Sequence, residues 1–160
     1  MKRAVYAGSF DPFHNGHLDI VKKASKVFDE VIVLIANNPA KTRKTKTSEM
    51  VAAIRQALDA NGLDNCSCAV APYNTYTVVY TAEHDADFLI RGLRNEEDFV
   101  YEEEMARTNH IINPFVETIY FRADNTFISS SLIKEQIEKG DIKSIVNFVP
   151  PSVYLLFDRR

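Results

Sequence analysis

The sequence predicts an α/β domain built on an open parallel sheet of five strands, with helices packed on both faces. Three observations carry this expectation. Strand and helix signals alternate along the chain. Val31-Ile32-Val33-Leu34-Ile35 is an unbroken apolar run, the pattern of a strand buried on both sides. The first strand candidate, Ala4-Val5-Tyr6-Ala7, runs through a turn straight into a helix. A chain of 160 residues suits one domain, spanning 1–160, with room for a real core.

Taken in order, the first strand leads into a helix over 18–28, whose stripe is Ile20, Val21, Ala24, Val27 and Phe28. After the strand at 31–35 comes a second helix from about Ser48 to Leu58. It turns Met50, Val51, Ile54 and Leu58 inward and stops near Gly62. A short strand covers 67–70, and Cys66 and Cys68 read as one buried and one exposed thiol. Phe88-Leu89-Ile90 is the fourth strand. Asn95 reads as the N-cap of a long helix reaching about Ile112, with Glu96, Glu97 and Asp98 suiting its dipole. Residues 117–121 read as the fifth strand. Ser129 opens another helix, which Gly140 ends, and Pro150-Pro151 precedes a short terminal helix. No repeat, low-complexity tract or linker interrupts this order.

Composition excludes several classes of function. A formal net charge of −3 provides no basic field for nucleic acid. No apolar run approaches the roughly 20 residues of a membrane span, and the amino terminus lacks a signal-peptide pattern. Two cysteines two residues apart in a strand are too close for an ordinary disulfide, so a reducing cytoplasm is the simplest compartment.

Ligands of open α/β sheets bind beyond the carboxyl ends of the strands, which directs attention to the loops there. After the first strand the chain reads Gly8-Ser9-Phe10-Asp11-Pro12-Phe13-His14-Asn15-Gly16-His17. Two imidazoles thus stand at a helix amino terminus, where unpaired N–H groups and the helix dipole favour phosphate. Imidazole there can also donate to phosphoryl oxygens as charge grows in a transition state. The plainer alternative is a turn at Asp11-Pro12 with a solvated His17; zinc on the two histidines is a third.

After the second strand, Asn37-Asn38-Pro39-Ala40 leads into Lys41-Thr42-Arg43-Lys44-Thr45-Lys46. This run reads either as a solvated loop or as a mobile one that closes over an anion. After the fourth strand, Arg91-Gly92-Leu93-Arg94 sets two guanidinium forks around a glycine, suited to bidentate phosphate contact. Salt bridges to Glu96 and Glu97 are the alternative. Ser129-Ser130-Ser131 offers a second phosphate cradle at a helix start. Glu102, Glu103 and Glu104 read by default as solvated helix surface, and no nucleophile triad is evident.

The H-x-G-H quartet behind Gly-Ser-Phe-Asp-Pro resembles the signature of the nucleotidyltransferase superfamily. With Ile90-Arg91-Gly92-Leu93-Arg94, Asp98-Phe99, Tyr101-Glu102, Phe127-Ile128-Ser129-Ser130-Ser131 and Phe148-Val149-Pro150, the chain resembles the bacterial phosphopantetheine adenylyltransferases over nearly its whole length. The resemblance implies a Rossmann-like fold that assembles as a homohexamer in the cytoplasm. It also implies that ATP and 4′-phosphopantetheine react with Mg2+ to give dephospho-coenzyme A and pyrophosphate, with coenzyme A as a feedback ligand.

Carried over, Ser9 and Lys41 touch the reacting phosphates, with Phe10 beside them. His17 bonds the α-phosphate in the transition state. Arg91 holds the phosphate of phosphopantetheine, and Arg94 the ATP phosphates. Gly92, Leu93 and Glu102 belong to the ATP site, closed by Asn125, Thr126, Phe127, Ile128, Ser129, Ser130 and Ser131. Thr77 falls where the family contacts the pantetheine arm. The chain departs from the family at His14, usually threonine, at Val100, commonly glutamate, and at His110, usually arginine. A nicotinamide-nucleotide adenylyltransferase and a non-catalytic nucleotide sensor are the competing readings.

Overall fold

The structure, a computed structural model, describes residues 1–37 and 40–158. Five strands alternate with helices: β1 (Arg3–Gly8), α1 (Asn15–Val27), β2 (Glu30–Ile35), α2 (Thr47–Ala60), β3 (Cys66–Val70), α3 (Thr77–Glu83), β4 (Phe88–Leu93), α4 (Glu96–Ile112), β5 (Glu117–Arg122), α5 (Ser130–Glu138) and α6 (Pro151–Asp158), with one 3₁₀ turn at Ile142–Ile145. All pairings are parallel, in the order β3-β2-β1-β4-β5. The chain winds outward from β1 to β3, then crosses back to β4 on the other side. The order therefore reverses between β1 and β4, where such sheets bind ligands.

Alternation along the central strands divides the core in two, because successive side chains leave a strand on opposite faces. Ala4, Tyr6, Val31, Val33 and Ile35 join one cluster with Val21 of α1, Met50 and Ile54 of α2, Ile133 of α5 and Phe157 of α6. Val5, Ala7, Ile32 and Leu34 join the other, against Val78 and Tyr80 of α3. Helices thus cover both faces, as the sequence predicts.

Several details differ from expectation. β4 continues to Leu93, so Arg91, Gly92 and Leu93 are strand residues. The cause is pairing: β4 matches β5 as far as Leu93 with Arg122, but matches β1 only as far as Tyr6 with Ile90. Beyond Ile90 the two central strands part. α3 and the 3₁₀ turn have no counterpart in the sequence reading. The α3 segment Thr-Val-Val-Tyr-Thr is β-branched and favours strand, but burial of Val78, Tyr80 and Thr81 overrides that preference. Val27 faces solvent rather than the core. Cys66 is half-buried and Cys68 buried, since residues two apart share one strand face. Asn38 and Pro39, which lead into the basic run, lie outside the described residues.

Candidate active site

The gap between β1 and β4 opens into a cleft of about 320 Å³. Its floor is the end of β1. Phe10 adopts a left-handed φ of 44° and is buried, packing edge-on against Tyr6, Phe13 and His17 at ring separations of 5.3, 5.4 and 4.9 Å. That ring lies over Gly8, where a Cβ would come within 3.0 Å of it. A larger residue at position 8 would therefore displace the phenyl ring that supports His17.

His14 and His17 are locked together at the start of α1. His14 is the N-cap, and its Nδ1 accepts from the N–H groups of Gly16 and His17 at 3.1 and 3.3 Å. The His14 N–H donates in return to His17 Nδ1 at 3.1 Å. This is a capping box in which imidazoles replace the usual hydroxyl and carboxylate. The rings stack at 3.6 Å. Because each Nδ1 accepts a hydrogen bond, each ring must be neutral and carry its proton on Nε2. Electrostatics agree. Burial and then the Arg94 charge push His14 down to about 4. Burial, His14, Arg91 and Arg94 together hold His17 well below its ordinary value of 6.5. Gly16 completes the device, since a Cβ there would lie 2.8 Å from His14 Cε1.

Where the β1–β4 ladder stops, Arg91 takes over. Its Nη1 donates to the Ala7 carbonyl at 2.7 Å, while Nε and Nη2 form a fork on Glu102 at 2.7 and 2.8 Å. Glu102 is buried, so it is no solvated helix carboxylate. Arg94 forks similarly onto Asp98 at 2.9 and 3.2 Å. The arginine partners are therefore Glu102 and Asp98, not Glu96 and Glu97. Burial disfavours charge on Arg91, but the Glu102 carboxylate more than offsets it and the guanidinium stays charged. Tyr6, buried at the cleft floor, has its phenol raised by that burial despite Arg91 nearby.

On the opposite wall, Ser129 caps α5 through the Leu132 N–H at 3.1 Å, and Ser130 Oγ donates to the Pro12 carbonyl at 3.1 Å. The serine run is thereby tied to the turn after β1.

Of the residues singled out from sequence, the cleft brings together Ser9, Phe10, His17, Arg91, Gly92, Arg94, Glu102, Asn125, Ile128, Ser129, Ser130 and Ser131. Lys41, Thr77, Leu93, Thr126 and Phe127 are not among its lining residues. Lys41 is exposed, Thr77 begins α3, and Phe127 points largely to solvent. Arg43 in the basic run is tied to backbone carbonyls of Ser9, Phe10 and Thr45. Sequence reasoning missed Tyr6, Ala7, Ile20, Asp98 and Ala123 in the lining. Only Asp98 had a legible signal, its i,i+4 spacing from Arg94.

A cytidylyltransferase-like family model matches residues 5–136. A phosphopantetheine adenylyltransferase of Lacticaseibacillus paracasei is 42% identical over 95% of this chain and 89% of its own. One from Vesicomyosocius okutanii is 38% identical over 99% and 98%. The chain belongs to the phosphopantetheine adenylyltransferase family, within the cytidylyltransferase-like proteins. Solved structures add the fold. A Vibrio parahaemolyticus protein assigned as a nicotinate-nucleotide adenylyltransferase superposes with a TM-score of 0.75 at 18% identity, covering 98% of this chain and 99% of its own. Thermotoga maritima TmcAL, bound to alpha-thio ATP, superposes at 0.70 and 12% identity, covering 99% and 55%.

Among the described residues no three His, Cys, Asp or Glu converge as metal ligands, and no helix is long and apolar enough to cross a membrane.

Proposed function

We propose that this chain transfers the adenylyl group of ATP to 4′-phosphopantetheine, forming dephospho-coenzyme A and releasing pyrophosphate. The observation that carries the reading is a paired-arginine strand end facing two neutral imidazole donors across one cleft. This arrangement occurs in a chain about two-fifths identical to relatives bearing that enzyme's name.

A phosphate oxygen of phosphopantetheine attacks the α-phosphorus of ATP in line. The new P–O bond forms as the bond to the β-phosphate oxygen breaks, and the electron pair leaves with pyrophosphate. The nucleophile is already anionic, so no covalent enzyme intermediate is required. The protein contributes alignment and charge stabilisation. Arg91 orients the acceptor phosphate and Arg94 the triphosphate. Ser9 and Lys41 contact the reacting phosphates. Phe10, Gly92, Leu93, Glu102 and the stretch 125–131 hold the nucleotide, and Thr77 the pantetheine arm. His17 donates from Nε2 to the α-phosphoryl oxygen as its charge grows.

The donor set fits Mg2+ brought in on phosphate. The carboxylates lining the cleft, Asp98 and Glu102, are both committed to arginines, leaving Ser9 and the serine run as neutral oxygens beside substrate. When bound, the ion neutralises phosphate charge.

Assembly as a homohexamer is part of the proposal. It is supported by Phe99, Val100, Met105 and Ile111, which are exposed on α4. Light scattering should report six times the 18.2 kDa subunit mass; a monomer would refute it. A cytoplasmic location and coenzyme A feedback follow the family reading.

The deciding experiment is pyrophosphate release from ATP with 4′-phosphopantetheine, with nicotinamide mononucleotide in parallel. Release with phosphopantetheine alone is expected. Release only with the mononucleotide, or with neither, would replace this reading with a nicotinamide-nucleotide enzyme or a non-catalytic sensor.

A further inference from the structure

Asp11 is absent from the cleft lining, yet it is among the most heavily bonded side chains near it. It is 3% exposed. Its carboxylate accepts from the Lys44 N–H at 2.8 Å, the Thr45 N–H at 2.9 Å and the Thr45 hydroxyl at 2.7 Å. Two cations face it, Lys134 Nζ of α5 at 3.6 Å and Arg43 Nη2 at 4.0 Å. Burial alone would raise the carboxyl, but these hydrogen bonds and Arg43 hold it below the ordinary carboxylate range.

Arg43 reaches the other way. It donates to the Ser9 carbonyl, to the Phe10 carbonyl at 3.3 Å and to the Thr45 carbonyl at 3.1 Å. The contacts thus run in both directions between the turn that carries Ser9 and segment 43–45. Lys134 adds the helix that follows the serine run.

Lys41 lies two residues before Arg43. A lysine on an untethered loop would have to order the entire loop when it met a phosphate. With 43–45 already fixed against the turn after β1, Lys41 stands two residues from an anchored segment.

We propose that Asp11 is a positioning residue that acts through Lys41, by anchoring the β2–α2 segment from which that lysine reaches the phosphates. The inference rests on the reading that Lys41 touches the reacting phosphates. Asp11 itself is not a substrate contact.

A double-mutant cycle tests it. Asp11→Asn keeps size, but its amide nitrogen cannot accept from Lys44 and meets Lys134 unfavourably. Alone it should lower kcat/KM for 4′-phosphopantetheine about 10-fold, and in a Lys41→Ala background less than about 2-fold, since residues acting as one unit are not additive. ATP affinity by titration should stay within about 2-fold. Losses that multiply in the double variant would mean a general structural role and overturn the inference while leaving the Lys41 reading standing. A silent Lys41→Ala would overturn the Lys41 reading and this inference with it. Should Asp11→Asn fail to fold, Arg43→Lys decides by the same cycle, because it loses the fork onto Ser9 and Phe10 while keeping charge.

Discussion

Replacing His14 by threonine should make the protein less sensitive to acid without loosening the start of α1. His14 Nδ1 accepts from two backbone N–H groups, so the cap exists only while the ring is neutral. Burial, then Arg94, depresses this imidazole to about 4 from an ordinary 6.5. Above that ordinary value, folded and unfolded chains both hold a neutral ring and nothing is lost. As pH falls below it, the unfolded ring takes a proton that the folded ring refuses, and stability declines until the folded value is reached.

At about 1.4 kcal/mol per pH unit, the interval corresponds to about 3 kcal/mol in all, of which about 2 kcal/mol is lost between pH 7 and pH 5. Threonine caps through its hydroxyl and does not titrate in this range. Urea unfolding at several pH values should therefore show His14→Thr losing about 2 kcal/mol less than wild type on going to pH 5. His17 remains in both proteins and leaves a residual slope in each. Parallel stability profiles for the two proteins would refute the reasoning, because they would mean that the His14 ring is not held neutral by the fold.

His17→Ala should still fold, with some loss at the start of α1 where His17 Nδ1 accepts the His14 N–H, and lose turnover about 10²–10³-fold, roughly 3–4 kcal/mol in the transition state, with ATP affinity by titration much less affected. Near wild-type turnover would remove His17 from the mechanism. Arg91→Lys keeps charge but loses the fork on Glu102 and should weaken phosphopantetheine binding by about 10-fold or more in isothermal titration. Arg91→Ala should in addition cost about 3–5 kcal/mol in chemical unfolding, because it strands the buried Glu102 carboxylate. Gly16→Ala should cost about 1–2 kcal/mol in unfolding experiments, since its Cβ would lie 2.8 Å from His14 Cε1 and push the ring out of its cap.

What the sequence made legible was mostly local chemistry. Asn95 caps α4 through the Asp98 N–H at 2.9 Å, and that helix spans the range its cap and acidic first turn imply. Ser129 was legible for the same reason. The end of β4 was not, because whether Arg91 to Leu93 stay extended depends on β5, a partner almost thirty residues away. α3 was hidden because local preference and tertiary burial disagree there. The histidine cap was half-legible: positions 14 and 17 have the i,i+3 spacing of a capping box, but histidine is not a usual capping residue. Tyr6 was hidden by its strand, since an aromatic in an apolar run reads as core. Lys41 and Thr77 were named only through the family resemblance, and the structure leaves both outside the cleft lining.

The two arginines serve the proposed chemistry before substrate binds as well as after. α4 carries Asp98 and Glu102 one turn apart, matched to Arg94 and Arg91 at the end of β4. Each guanidinium is thereby held in a fixed orientation before any phosphate arrives, which lowers the ordering cost of binding. Neither is exhausted. Arg91 uses three of its five N–H groups on Glu102 and Ala7, so a phosphate oxygen can add to the fork without first stripping the carboxylate. The same charges act on the histidines, since Arg94 depresses His14 and both arginines depress His17. An imidazolium would lose the Nδ1 acceptor on which the capping box depends. Burial keeps the rings neutral and the arginine charges add to it, which preserves the helix start and leaves Nε2–H donors of fixed tautomer. The proposed phosphate binders thus also reinforce the protonation state that the proposed transition-state contact requires.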